Sequence, residues 1–244
     1  MIPNDNYVAY QNPNYALGNF IMITPAIKRL AELLGQPVDV VFTKDYVQEC
    51  FLDCPFINHI DSLQGKKVVI DSSMVNAVKP DFQHSFELVH RIPWTENYHT
   101  YIDSPKEYDY SDQDYVLVLN GLAGTGWKGK KEIPQHAHEV IKEHSKLPIW
   151  FTGNQTDLDV NSPWMSDMAD RIELNDIRRA LALVRDANLI ISNDTGLSHA
   201  AGAMNQNILI LWKDTPFIKN QNPGKNTKYA LKGEWESKII DFLK

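Results

Sequence analysis

Long apolar runs are absent from this sequence. No stretch approaches the ~20 residues that a membrane-spanning helix needs, and the opening MIPNDNYVAY has neither the basic start nor the apolar core of a secretory signal. A soluble, cytoplasmic chain is the expectation. Cysteine is scarce: Cys50 and Cys54, in ECFLDC, are the only two. Without a nearby histidine pair they are too few for a structural zinc site, so they read as reduced, partly buried thiols. Positive charge is not in excess either. Lys plus Arg number 24 against 31 Asp plus Glu, a net charge of −7, which argues against a generic binder of nucleic acid or anionic membrane. The motifs HExxH and GxSxG and a Cys/His nucleophile pattern are also missing. His136 and His138, in HAH, look like a metal pair, but positions i and i+2 of a helix point apart. Both read as surface residues.

What remains is an ordinary globular composition, 43% hydrophobic and 10% aromatic over 244 residues, enough for one large or two modest domains. Short β-rich runs alternate with segments of helical period, the sign of a parallel α/β protein. Strands are expected at Tyr7–Tyr10, Val38–Phe42, FINHI and Lys66–Asp71. A polar loop, QNPNYALG, with the Gly-containing turn NYALGNF, leads into a helix, NFIMITPAIKRLAELLG, whose Phe20, Ile23, Ile27, Leu30 and Leu34 share a face. Gly35 stops that helix and Pro25 should bend it near its first turns. FQHSFELVHRI reads as a further helix. From about 93 to 114 the chain turns polar, aromatic and proline-containing, which marks a connector between an N-terminal domain, 1–110, and a C-terminal domain, 111–244.

The second half repeats the pattern. Strands are expected at Tyr115–Asn120, PIWFTG, RIEL, NLIIS and Asn207–Trp212. Helices are expected from Pro134 as first helical residue to His144, after an Asn175 cap with Ile177, Ala180, Leu181 and Val184 facing inward, over GLSHAAGAM, and over GEWESKIIDFLK. A Lys/Asn/Pro/Gly-rich loop fills the space before the last helix. Two halves rich in βαβ units suggest two Rossmann-like domains facing each other, with ligands outside the carboxyl ends of the strands.

Each polar motif follows a strand. In SNDTGLSH, Thr195 and Gly196 open a helix whose first N–H groups suit a phosphate, His199 lies one turn on, and Asp194 orients the loop. The same residues also fit a plain helix cap beside a surface histidine. GLAGTGWKGKKEIP is rich in Gly and Lys and suits a diphosphate, or is a solvated loop. It is not a P-loop, because Trp127 follows Gly126. Gly153 ends a strand and either admits a nucleotide or serves as a turn glycine.

ALGNFIMITPAIKRL resembles the N-terminal signature of the lipopolysaccharide heptosyltransferase family, glycosyltransferase family nine, and DIRRALALVRDANLIISNDTGLSHAAGAMNQNILILW is similar to its C-terminal signature. The resemblance implies an α/β fold of the GT-B type, two Rossmann-like domains with parallel sheets facing across a cleft. It implies inverting, metal-independent sugar transfer with no cofactor, from a nucleotide-diphosphate sugar to a saccharide hydroxyl. Lys128, Lys131, Gly153, Asp194, Thr195, Gly196 and His199 are then the donor-binding set, and Gly18 and Asn19 lie on the acceptor side. Where the family has an aspartate as general base, this chain has Asn19, and an amide accepts no proton. Either another carboxylate or histidine serves, with Asp5, Asp71 and His84 as candidates, or the acceptor needs little base help and Asn19 only positions it. Two alternatives stay open: transfer to a modified DNA base, aided by a local basic face around KDTPFIKNQNPGKNTKYALK, and a protein that binds the nucleotide sugar without catalysis.

Overall fold

The computed structural model describes residues 7–73, 100–121, 132–153, 176–212, 224 and 226–244, and the backbone of 170–173. The chain divides into two compact units, Met1–Asp103 and Ser104–Lys244.

The first unit is built on a four-stranded parallel sheet in the order β3-β2-β1-β4. Its strands are β1 (Tyr7–Tyr10), β2 (Val38–Val41), β3 (Ile57–His59) and β4 (Lys67–Asp71). Helix α1 (Leu17–Leu34) follows β1 and buries twelve of its residues, Phe20, Ile23, Ile27 and Leu30 among them. It ends at Gly35, whose φ of 70° needs no Cβ and whose N–H reaches Ala31 O. The expected start of α1 is corrected. The helix opens at Leu17 after an extended Ala16, two residues before the expected Asn19, so Leu17 and Gly18 belong to its first turn and not to the loop.

Pro25 lies inside α1 without ending it. A proline leaves the carbonyl four residues back without its helical donor. That carbonyl is Ile21 O, and the buried Thr24 hydroxyl donates to it at 2.7 Å. Thr24 Oγ1 in turn accepts from Tyr101 N at 2.7 Å. A short helix α2 (Asp45–Gln48) and a 3₁₀ turn (Glu49–Phe51) follow β2. Phe20, Phe42, Phe51 and His59 form an aromatic cluster beneath them. Cys50 and Cys54 are buried thiols outside any disulfide, and burial pushes Cys54 up to about 12.

The second unit carries a six-stranded parallel sheet, β10-β9-β8-β5-β6-β7. Its strands are β5 (Val116–Leu119), β6 (Ile149–Gly153), β7 (Asp170–Glu173), β8 (Leu189–Ser192), β9 (Ile208–Trp212) and β10 (Thr227–Leu231). The helices are α3 (Gln135–His144), α4 (Ile177–Asp186), α5 (Gly196–Ala203) and α6 (Trp235–Phe242). Both faces of the sheet are covered, which is why its strands β5, β8 and β9 read as apolar runs. Val116 and Val118 of β5 pack with Ile141 of α3 and Trp235 and Ile239 of α6. Leu117 and Leu119 pack on the other face with Leu183 of α4 and Ala201 of α5. Each such side chain contributes ~1.5–3 kcal/mol relative to exposure.

Several local expectations are corrected here. Pro134 is the N-cap of α3, extended at ψ 160°, and not its first helical residue. Asp176 caps α4, accepting from Arg178 N at 2.8 Å and Arg179 N at 3.4 Å, one residue after the expected Asn175, which lies outside the described residues. His138 is 2% exposed rather than a surface residue, while His136 is exposed and stacks on Trp235. Strand β10 lies inside the stretch expected to be loop, and pairs in register with β9.

Residues 105–110 run along α4. Arg185 donates to Pro105 O and, at 2.8 Å, to Tyr108 O; Tyr108 OH bonds Asp176; Glu107 pairs with Arg178; and Arg179 reaches Tyr110 OH at 2.7 Å. At the other end of the unit, Gly224 is pressed against α5. A Cβ there would lie 2.8 Å from both Gly202 Cα and Thr227 Oγ1.

Candidate donor and acceptor sites

In each sheet the strand order reverses beside the first strand of the unit. β5 is flanked by β6 on one side and β8 on the other; β1 is flanked by β2 and β4. Such a switch point leaves a crevice outside the carboxyl ends of the two strands, where ligands of open α/β sheets bind.

At the second switch point the turn from β8 into α5 is Asn193-Asp194-Thr195. Thr195 is the N-cap, extended at φ −133°, and its hydroxyl oxygen accepts from Leu197 N at 3.1 Å. Ser198 Oγ accepts from Thr195 N at 3.1 Å and donates to Thr195 O at 2.7 Å, which completes a capping box. The cap and the anion cradle are therefore compatible. Thr195 uses only its oxygen in the cap, which leaves its hydroxyl proton to donate elsewhere. The Gly196 N–H meets no acceptor among the described residues.

His199 lies one turn on and is 8% exposed, so it is not a surface histidine. Its Nε2 sits 3.4 Å from Asp194 Oδ1. Its buried Nδ1 has no partner among the described residues. Asp194 thus faces the imidazole. The first turn of α5 contains no acidic residue, so the positive end of its dipole is uncompensated within the helix.

Two buried asparagines, absent from the sequence-based set, lie directly behind this turn. Asn120 follows β5 and Asn193 follows β8, and both are fully buried. The register aligns Leu119 with both Ser192 and Thr152, which brings Asn120, Gly153 and Asn193 to one edge of the sheet. At the ~4.8 Å strand spacing, β6 and β8 stand ~10 Å apart, a span suited to a nucleoside diphosphate. Gly153, opposite Glu173 of β7, closes that row. Lys128 and Lys131 lie outside the described residues.

At the first switch point, buried Gln11 ends β1. Its Oε1 accepts from Thr43 N at 3.0 Å, and its Nε2 donates to Asn12 O and Tyr15 O at 2.9 Å each. This holds the loop that leads to Gly18 and Asn19. Ala16 provides no side-chain cap to α1 and the first turn has no acid. Asn19 is half-buried, and its amide bonds no other described residue. Asp71 ends β4 in register with Tyr10 of β1 and accepts from Ser73 N at 2.7 Å. Asp5 and His84 lie outside the described residues. Among the described residues no group of three or more His, Cys, Asp or Glu is placed to hold a metal, and no helix is long and apolar enough to cross a membrane.

Residues 163–240, which contain the β8–α5 turn, match the model of glycosyltransferase family 9 (heptosyltransferase). The solved structures agree in fold. The ADP-heptose lipopolysaccharide heptosyltransferase II of E. coli superposes with a TM-score of 0.75 at 11% identity, covering 97% of each chain. E. coli heptosyltransferase WaaC with ADP gives 0.68 at 13% identity over 92% of this chain and 93% of that one. A family 9 glycosyltransferase from Veillonella parvula gives 0.64 at 13% identity, covering 96% and 88%. No curated protein sequence matches the chain. The fold is thus of the GT-B type, with two parallel α/β sheets, as the signatures implied. In it Asp194, Thr195, Gly196 and His199 stand together at one strand end.

Proposed function

We propose that the chain is an inverting, metal-independent glycosyltransferase that moves a heptose-like sugar from a nucleoside-diphosphate donor to a saccharide hydroxyl. The C-terminal unit takes the donor and the N-terminal unit the acceptor. The observation that carries the donor assignment is the β8–α5 turn: a helix N-terminus with a spare Gly196 N–H and a buried His199 whose Nδ1 lacks a partner among the described residues. The departing diphosphate gains charge as the sugar leaves, and pre-oriented donors stabilise that charge. Thr195, Gly196 and His199 supply them, with Lys128 and Lys131 adding cationic charge and Gly153 admitting the nucleotide. ADP is the nucleotide to test first, because WaaC holds ADP and the E. coli heptosyltransferase II is described by ADP-heptose.

On the acceptor side Asn19 positions the hydroxyl without taking its proton. Asp71 serves as base, because its strand β4 borders β1, which leads into α1. Asn19 also supports a second reading, a protein that binds the donor without transferring it. Incubation of ADP-heptose with lipopolysaccharide-core saccharides separates them. Sugar transfer supports the first; binding of the donor without its consumption by any acceptor refutes it. Absence of affinity for ADP-, UDP- and GDP-sugars would refute both.

A further inference from the structure

We infer that Asn193, held by Asn120, is the positioning residue that sets the donor turn. The inference rests on the reading of the β8–α5 turn as the donor site. Asn193 is bonded through three of its polar groups. Its N–H donates to Leu119 O at 3.1 Å, continuing the β5–β8 ladder by one residue. Its carbonyl accepts from the Ser192 hydroxyl at 2.7 Å. Its Nδ2 donates to Gly121 O at 3.0 Å and to Asn120 Oδ1 at 3.3 Å. Asn120 in turn accepts from Ile133 N at 2.7 Å and donates to Ile133 O at 3.3 Å.

One buried node therefore ties three pieces of chain: the end of β5, the residue leading into α3, and the residue that precedes Asp194. Gly121 and Ile133 stand on either side of the segment that carries Lys128 and Lys131. The next residue after Asn193 is the carboxylate that faces His199, and the one after that is the α5 cap. A shift of Asn193 moves both. Neither asparagine is exposed, so neither contributes to solubility, and their burial without these bonds would be costly.

The bond directions make a discriminating test. Both acceptors of the Asn193 amide are oxygens, so Asn193→Asp removes both donors and sets a carboxylate against Gly121 O and Asn120 Oδ1. Asn120→Asp keeps an acceptor oxygen facing Ile133 N and Asn193 Nδ2, and exchanges the longer bond to Ile133 O for a carboxylate oxygen. Calorimetric titration with ADP is expected to show about a tenfold or greater loss of affinity in Asn193→Asp and a smaller loss in Asn120→Asp. Should Asn193→Asp not fold, Asn193→Ser, which removes the amide donors without adding charge, carries the same expectation. Ile239→Val, in the core of the same unit, provides a destabilised control that should keep its ADP affinity. In steady state the donor KM should rise with the acceptor KM unchanged.

Equal affinity in wild type and the Asn193 variants would overturn the positioning role and leave the donor site standing. Equal losses in Asn193→Asp, Asn120→Asp and Ile239→Val would also overturn it, because simple destabilisation then explains the effect. A wild-type protein with no affinity for ADP, UDP or GDP would overturn the donor reading, and this inference with it.

Discussion

Acidification is expected to destabilise this protein through His138. The imidazole lies on the inner face of α3 beside Ala137 and Ile141, its ring centroid 6.4 Å from that of Phe151. Burial, with a smaller contribution from His136, lowers it from 6.5 to about 3. The unfolded chain therefore binds a proton at this site, between about pH 6.5 and 3, that the folded chain refuses. Stability from this group is complete above that window and falls as the pH drops through it. At about pH 5 the loss is 1.36 kcal/mol for each of roughly 1.5 pH units below the free value, or about 2 kcal/mol. For a unit of this size that is a fall in Tm of roughly 4–8 °C. Thermal unfolding of wild type and His138→Leu at about pH 7.5 and about pH 5 isolates the effect, because carboxylate contributions cancel in the double difference. The wild type should lose about 2 kcal/mol more than the variant between the two conditions. Equal losses, or an imidazole resonance that titrates near its free value in the folded protein, would refute the burial argument.

Three further outcomes are expected. His199→Ala should weaken ADP binding by about tenfold or more, the scale of a lost charge-assisted contact, with Lys128→Ala acting in the same direction; calorimetry reads both, and unchanged affinity in both rejects the donor assignment. Asn19→Asp should raise the transfer rate with a pH profile governed by the new carboxylate if residue 19 faces the acceptor hydroxyl, whereas an unchanged rate and profile place the base elsewhere. Gly224→Ala should destabilise the C-terminal unit by about 1–3 kcal/mol, because the added methyl meets the Gly202 backbone; chemical denaturation measures it, and a neutral result contradicts the close approach.

Much of the architecture was legible because both sheets are parallel and the second is covered on both faces. The apolar strands β5, β8 and β9 announce themselves as runs, and the amphipathic α4 places Ala180, Leu181 and Val184 inward as its spacing requires. What escaped was decided by tertiary context. TKYAL reads as a polar loop because it sits among Lys, Asn and Pro, yet β9 offers it a free edge and it pairs there as β10. The cap of α4 falls on Asp176 rather than Asn175, a one-residue choice between two good capping types that local sequence does not resolve. His138 looked exposed because HAH offers no clue to which histidine faces the sheet.

The candidate site divides the same way. The Thr-Gly-Leu-Ser-His spacing carried the donor turn, since it rests on one strand, one cap and one helical turn. The asparagines behind it did not show, because a polar residue after a strand is as often solvated as buried. Asn120 and Asn193 meet across 73 residues of sequence, a separation over which single-residue patterns carry no information.

Thr24 and Pro25 constrain which substitutions this fold can accept, and in what order. The proline leaves Ile21 O to the threonine hydroxyl, so Thr24→Val alone strands a carbonyl inside a buried helix and also deprives Tyr101 N of its acceptor. Pro25→Ala made first returns an N–H to Ile21 O, after which the hydroxyl answers only to Tyr101. The two positions are thus epistatic. A lineage can leave the Thr-Pro pair by giving up the proline and then the threonine, while the reverse route passes through an intermediate that is penalised twice.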